Sequence, residues 1–440
     1  MIKRVFISNK IINNASWLVL EKISRMAVSL IVGVWVARYL GAERFGALNY
    51  AQSFVGLMAA IANLGLDNIV IRNLVQSPKD SYVYLGTAFY LKLVGGLLSI
   101  LFSILSIMIV EPNDSNIVIL CAIISTGNIF VCFSTIDLWF QSQLNSKFSV
   151  YAQSVSFFIT SIIKLFFILN EASLIMFAFL SALEMLLLSI GYLIVYKLKV
   201  GILKEWKFSI IIAKSLMKDS WPLILSGLAI MLYMRIDQIM IGIMNGNQEV
   251  GIYSVAVKLG ELWYFVPVAI VSSIYPIIVK EKDNNLELFY KRLQKLYDFM
   301  ALLGYIIAIT ISVLSPYIIT LLYGDEFIHA APILSIYIWI GLFVNMGLAR
   351  TAYLNSFNWG KIHFISSLSG CIINILLNLI LIPKYGGVGA AFASLFSYWF
   401  QAHGINFFFS KISISTKMQT KSLLIIIRIK DLLNILKWEK

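Results

Sequence analysis

Long apolar runs, rather than short alternating ones, organise this chain. About twelve stretches of about 18 or more mostly apolar residues follow one another from Ala15–Ala37 to Gly387–Phe409. Each is long enough to cross a hydrocarbon core of roughly 30 Å as a helix rising about 1.5 Å per residue. The first run is too long for a signal-peptide core and no small-residue cleavage site follows it, so it is expected to persist as a helix. The pattern predicts an all-α polytopic membrane protein with about 12 transmembrane helices.

The longest internal loop, residues 197–219, carries Lys197, Lys199, Lys204, Lys207, Lys214 and Lys218 and separates two sets of six runs. Three short matches suggest that the sets are copies. Gly41-x4-Gly46 returns as Gly246-x4-Gly251, Leu144-Asn145-Ser146 as Leu354-Asn355-Ser356, and Phe177-Ala178-x-Leu180 as Phe392-Ala393-x-Leu395, at offsets of 205, 210 and 215. An even number of helices per copy gives both copies the same orientation. Two parallel-repeat six-helix bundles around a central cavity are expected: residues 1–196 and 220–410, joined by the cytoplasmic linker 197–219 and followed by a basic amphipathic cytoplasmic tail, 411–440.

Composition agrees. Of 440 residues, 60% are hydrophobic and 13% charged, against about 45–50% and about 25% in soluble domains. Orientation follows from the basic residues, which collect in cytoplasmic loops. With the N-terminus inside, 25 of the 35 lysines and arginines fall in inside segments and three in outside loops, Arg38, Arg44 and Lys384. Both termini are therefore expected in the cytoplasm. The net charge of +13 follows topology and forms no single basic face, which argues against nucleic acid as a partner. Cys121, Cys132 and Cys371 lie within apolar runs without a C-x-x-C spacing, so neither a disulfide frame nor a zinc site is indicated.

Charges inside the runs need a reason, because an unpaired charge at a helix centre costs about 2.5–3.5 kcal/mol on insertion scales. Such residues usually face a bundle interior or wet cavity. Glu21 and Arg25 are four apart and can pair, which leaves Lys22 uncompensated. Arg235 and Asp237 are two apart and point in different directions. Lys258 and Glu261 can pair. Lys92 lies about ten residues from its helix end, too deep to snorkel, whereas Lys164 and Arg350 lie near ends and are expected to snorkel. Glu184 is a lone acid. Seven bases (Lys22, Arg25, Lys92, Lys164, Arg235, Lys258, Arg350) thus face four deep acids (Glu21, Glu184, Asp237, Glu261). A cavity so lined is cationic and suits an anionic cargo, arginine as a forked phosphate donor and lysine as a point charge. Lys22, Arg25, Lys92, Arg235 and Lys258 are the first candidates for substrate contact, Lys164 and Arg350 the next, and the acids are candidates for ion coupling or charge balance.

Catalytic and nucleotide motifs are missing. Gly41-x4-Gly46 continues with Ala47-Leu48 where a P-loop needs lysine and a hydroxyl, and Gly387-x-Gly389 is followed by Phe392 rather than glycine. His329, His363 and His403 lie in separate segments without metal-site spacing. The chain is expected to be a transporter, not an enzyme, with no cofactor and no metal. Two rivals are a multidrug/cation antiporter, which favours acidic cavities, and a membrane oligosaccharide polymerase or glycosyltransferase, which usually carries a large outside loop.

"VARYLGAERFGALNYAQSF" with "ANLGLDNIVIRNL" resembles the opening of the O-antigen repeat-unit flippases, the Wzx-type polysaccharide biosynthesis proteins of the multidrug/oligosaccharidyl-lipid/polysaccharide exporter superfamily. "RIDQIMIGIM", "VGIYSVAVKLGELWYFVPVAI" and "GGVGAAFAS" extend the resemblance through about Ser410. It implies twelve helices in two bundles that open alternately. Their cargo would be an undecaprenyl-diphosphate-linked oligosaccharide, moved from the cytoplasmic to the periplasmic leaflet of a bacterial inner membrane in lipopolysaccharide or similar surface-polysaccharide biosynthesis. Membrane lipids, and other polysaccharide assembly proteins, are the implied partners. Arg25 matches the basic first-helix position that lines the lumen in that family, and Arg235 with Asp237 the charged seventh-helix motif. Ala42 stands where proline is common.

Overall fold

The computed structural model describes the backbone of residues 2–428 and the side chains of residues 24–428, apart from those at 226 and 283. The described residues form helices and short 3-10 turns, with no strand. Ten continuous stretches are long and apolar enough to cross a membrane, among them residues 24–76 and 360–408. Each of these two is broken by a glycine outside helical geometry, Gly41 (φ 72, ψ 171) and Gly386 (φ 54, ψ −136), so each crosses twice and the twelve predicted crossings are accounted for.

The backbone repeats along with the sequence. Gly246 (φ 85, ψ 177) adopts nearly the conformation of Gly41, its match at an offset of 205. Such torsions are essentially closed to residues with a Cβ, which explains why glycine stands at both turns. Glu171 (φ 50) and Gly386 (φ 54) are another pair, at the offset of 215 found for Phe177 and Phe392. The fourth span is interrupted by a 3-10 turn over Thr126–Phe133, and the tenth breaks between Ala330–Tyr337 and Ile340–Ser356. Mid-helix departures of this kind often mark hinges.

The chain divides into two compact units, residues 1–235 and 236–440. The division falls inside the helix Ile210–Asn245, not in the linker. The linker and the start of that helix pack on unit 1. Lys207 N donates to Tyr82 O at 3.2 Å, Trp206 Nε1 to Tyr196 OH at 3.0 Å, and Arg72 pairs with Asp219 at 2.8 Å.

Unit 1 is held by apolar clusters around Leu66, Val70, Leu74 and Leu85 and around Ile136, Phe140 and Tyr192. Unit 2 is built on Phe289, Leu293, Tyr297, Met300, Met346 and Tyr353. The first part of the tail also belongs to unit 2. Helix Ser413–Leu423 buries Ser415, Thr416, Gln419 and Ser422, with Ser415 Oγ 2.7 Å from Tyr297 OH and Ser422 donating to Asp298 at 2.6 Å. Its small polar side chains find partners in the protein, which an apolar surface could not supply. Residues 429–440, where much of the expected amphipathic helix falls, lie outside the described residues.

Candidate functional site

The seventh helix places its two charges on different sides. Arg235 is half-buried beside Gly56, where a Cβ would stand 4.0 Å from its Nε. Asp237 is buried, 7% exposed. It accepts from Asn378 Nδ2 at 2.6 Å, from Tyr253 OH at 2.7 Å and from Ser394 Oγ. Asn378 Nδ2 also donates to Asn374 Oδ1 at 3.1 Å, and Asn374 Nδ2 donates to Ser394 Oγ at 3.1 Å. Four elements thus converge on one carboxylate through neutral groups alone. Asn378 Oδ1 is buried with no donor facing it. One carboxylate amid amide, phenol and hydroxyl oxygens is the donor set of a hard monovalent cation or a proton, and is too weakly charged for a tight divalent site. Among the described residues no three His, Cys, Asp or Glu are grouped to hold a metal ion.

Of these groups, sequence reasoning named only Asp237. Asn374 and Asn378 stand four apart in an otherwise apolar run, "CIINILLNLI", and that pair of polar positions on one helix face was a visible signal. Tyr253 and Ser394 gave none.

The remaining candidates fall into separate environments. Arg25 is half-buried, 3.5 Å from Gln153 Oε1, with its guanidinium carbon 5.5 Å from the centre of the Phe157 ring. Gln153 continues to Tyr192 OH at 2.8 Å. The side chains of Glu21 and Lys22 lie outside those described. Lys258 is exposed and Glu261 half-buried, with Tyr337 OH 3.5 Å from Glu261 Oε1.

Three expectations are corrected. Lys92 does not offer its ammonium to a cavity: it is 0% exposed, 2.6 Å from Asp67 Oδ1 and 2.8 Å from Ser134 Oγ. The depth argument identified a lysine that needs a partner, and the start of helix Asp67–Gln76 supplies one. Glu184, expected to stand alone, pairs with Lys164 at 3.5 Å. Arg350 does not snorkel. It is 2% exposed, and donates from Nη2 to Ser366 Oγ at 2.7 Å and from Nη1 to Gln401 O at 3.3 Å.

The model of the polysaccharide biosynthesis protein family matches residues 11–282, more than half of the chain. The chain belongs to that family. A second family model, MatE, matches residues 222–380. Similar proteins include a probable low-salt glycan biosynthesis flippase, Agl15, of Haloferax volcanii, 24% identical over 82% of this chain and 75% of that protein. The fold is shared with solved membrane transporters. An inward-facing multidrug resistance MATE transporter superposes with a TM-score of 0.72 at 14% identity, covering 90% of this chain and 96% of its own. The lipid II flippase MurJ, inward closed, superposes with a TM-score of 0.69 at 17% identity, covering 94% and 92%.

Proposed function

We propose that this protein is a flippase for a polyprenyl-diphosphate-linked oligosaccharide, working by alternating access. In the finer form, the cargo is an undecaprenyl-diphosphate-linked O-antigen or similar surface-polysaccharide repeat unit, carried from the cytoplasmic to the periplasmic leaflet. The observation that carries this is membership of the polysaccharide biosynthesis family. It is supported by seven bases within the spans against four deep acids, since a cationic path suits a diphosphate. Lys22, Arg25, Lys92, Arg235 and Lys258 were the sequence candidates for that path. Arg25 and Arg235, both half-buried, keep that role, whereas Lys92 serves the architecture through Asp67.

Asp237 is proposed as the coupling acid. Binding a proton or monovalent cation neutralises a buried carboxylate that otherwise rests on dipoles alone, so occupancy changes the relative stability of the conformers that hold the site open or closed.

The test is reconstitution in vesicles with a fluorescent polyprenyl-diphosphate oligosaccharide and a membrane-impermeant glycosidase outside. Wild-type protein is expected to expose the inner-leaflet pool to the enzyme, and Arg25→Ala to stop this while still inserting. Export of a lipophilic cation with no exposure of the glycan would favour the multidrug reading, which the MATE-like fold keeps as the second one.

A further inference from the structure

Arg350 carries its charge into unit 2 with no ion pair among the described residues. Its two hydrogen bonds go to a hydroxyl and a backbone carbonyl, and its Nε has no partner. An arginine does not escape this by losing its proton, and a buried charge without an opposite charge is strongly unfavourable.

The side chain lines a cavity of about 180 Å³, formed where the tenth span ends and the eleventh begins, together with the last turns of the twelfth. A single water needs roughly 10–15 Å³ of such space, so the cavity has room for a small oxyanion. Its walls contain no Asp or Glu. Two further polar atoms of its lining residues are buried and partnerless, His363 Nδ1 and Gln401 Oε1. Gln401 bonds Ser367 Oγ through Nε2 at 3.1 Å. A hydroxyl donates as readily as it accepts, so the amide can reverse and offer N–H instead. The imidazole can carry its proton on Nδ1. Three unsatisfied atoms and one positive charge without an ion pair thus belong to residues that line a single space.

We propose that this cavity binds a phosphate group, with Arg350 supplying the charge and a forked donor, and His363 and Gln401 supplying the flanking N–H groups. The group comes either from a lipid-linked diphosphate or from a free phosphate or pyrophosphate. The site lies wholly within unit 2 and stands whether or not the protein flips glycans.

The test uses the full chain in phosphatidylcholine nanodiscs. Binding and the thermal unfolding midpoint are measured against inorganic pyrophosphate at constant ionic strength, and in nanodiscs doped with polyprenyl diphosphate. A saturable response with a raised midpoint is expected. It is abolished by Arg350→Gln and weakened about tenfold by Arg350→Lys or His363→Leu, each of which removes a hydrogen bond to a charged group. Response to pyrophosphate assigns the site to small anions, and response to the lipid alone assigns it to a headgroup. If Arg350→Gln does not fold, the other two variants decide. No saturable response in wild-type protein, or unchanged affinity in Arg350→Lys and His363→Leu, overturns the proposal. Because the readout is binding, a failure to flip glycans leaves it intact.

Discussion

Two lysines in the spans of unit 1 and two buried charges of unit 2 are held in opposite ways. In the spans of unit 1, Lys92 meets Asp67 at 2.6 Å and Lys164 meets Glu184 at 3.5 Å, so positive and negative groups cancel where they stand. In unit 2, Asp237 and Arg350 are each held by neutral groups. An ion pair inside a protein secures geometry but contributes little net stability against an apolar replacement. A lone buried charge costs stability and so calls for a ligand. The contrast fits the proposed roles: architecture for these two pairs of unit 1, exchangeable ions at Asp237 and Arg350.

Substitutions at these charges, and at one turn glycine, bear on the account. Asp237→Asn has the largest expected effect. Charge-assisted hydrogen bonds are worth about 1.5–3 kcal/mol, so ion-driven transport should fall roughly 10–100-fold, while the thermal midpoint stays level or rises. A lowered midpoint with intact transport would make Asp237 structural, like the pairs of unit 1. Lys92→Met strands Asp67 and should cost about 3 kcal/mol, the low end for a broken buried pair, since the Asp67 side chain is 44% exposed. Adding Asp67→Asn should cost far less than it does alone, which a double-mutant cycle measures. Additive costs would mean that the pair does not act as one.

Gly386→Ala meets two obstacles: the backbone torsion, and Glu249 Oε1, 2.7 Å from where the Cβ would stand. That carboxylate accepts from Gly387 N at 2.7 Å, so the turn cannot yield easily. A loss of about 1–3 kcal/mol is expected, read as a drop in midpoint, and a neutral outcome would remove the special role of this turn. Lys164→Ala should cost least, about 0.2–1 kcal/mol, because both partners are partly exposed. A cost as large as that of Lys92→Met would show that exposure does not separate the two pairs.

Much of the fold was legible in the sequence because run length against membrane thickness is a strong constraint, and the glycines of the repeat mark turns that no other residue adopts readily. The site was legible only in part. Depth along a helix identified Lys92 and Asp237 as residues needing partners, but linear sequence does not say whether the partner is a carboxylate from another helix or a ring of amides and hydroxyls. Arg350 was misplaced for a related reason: it lies near a helix end, yet Ser366 and the Gln401 carbonyl hold its two terminal nitrogens inside the protein. Partners such as Ser394 and Tyr253 are separated from Asp237 by 157 and 16 positions, and only folding brings them together.

The central claim is that a neutrally solvated Asp237 couples an ion to the movement of an anionic lipid-linked glycan. The most direct measurement is the initial rate of glycan exposure in vesicles, wild-type against Asp237→Asn, with and without an imposed gradient of protons or sodium ions. The account predicts that one of those gradients accelerates the wild-type protein and leaves Asp237→Asn unaffected. Equal acceleration of both proteins would contradict it.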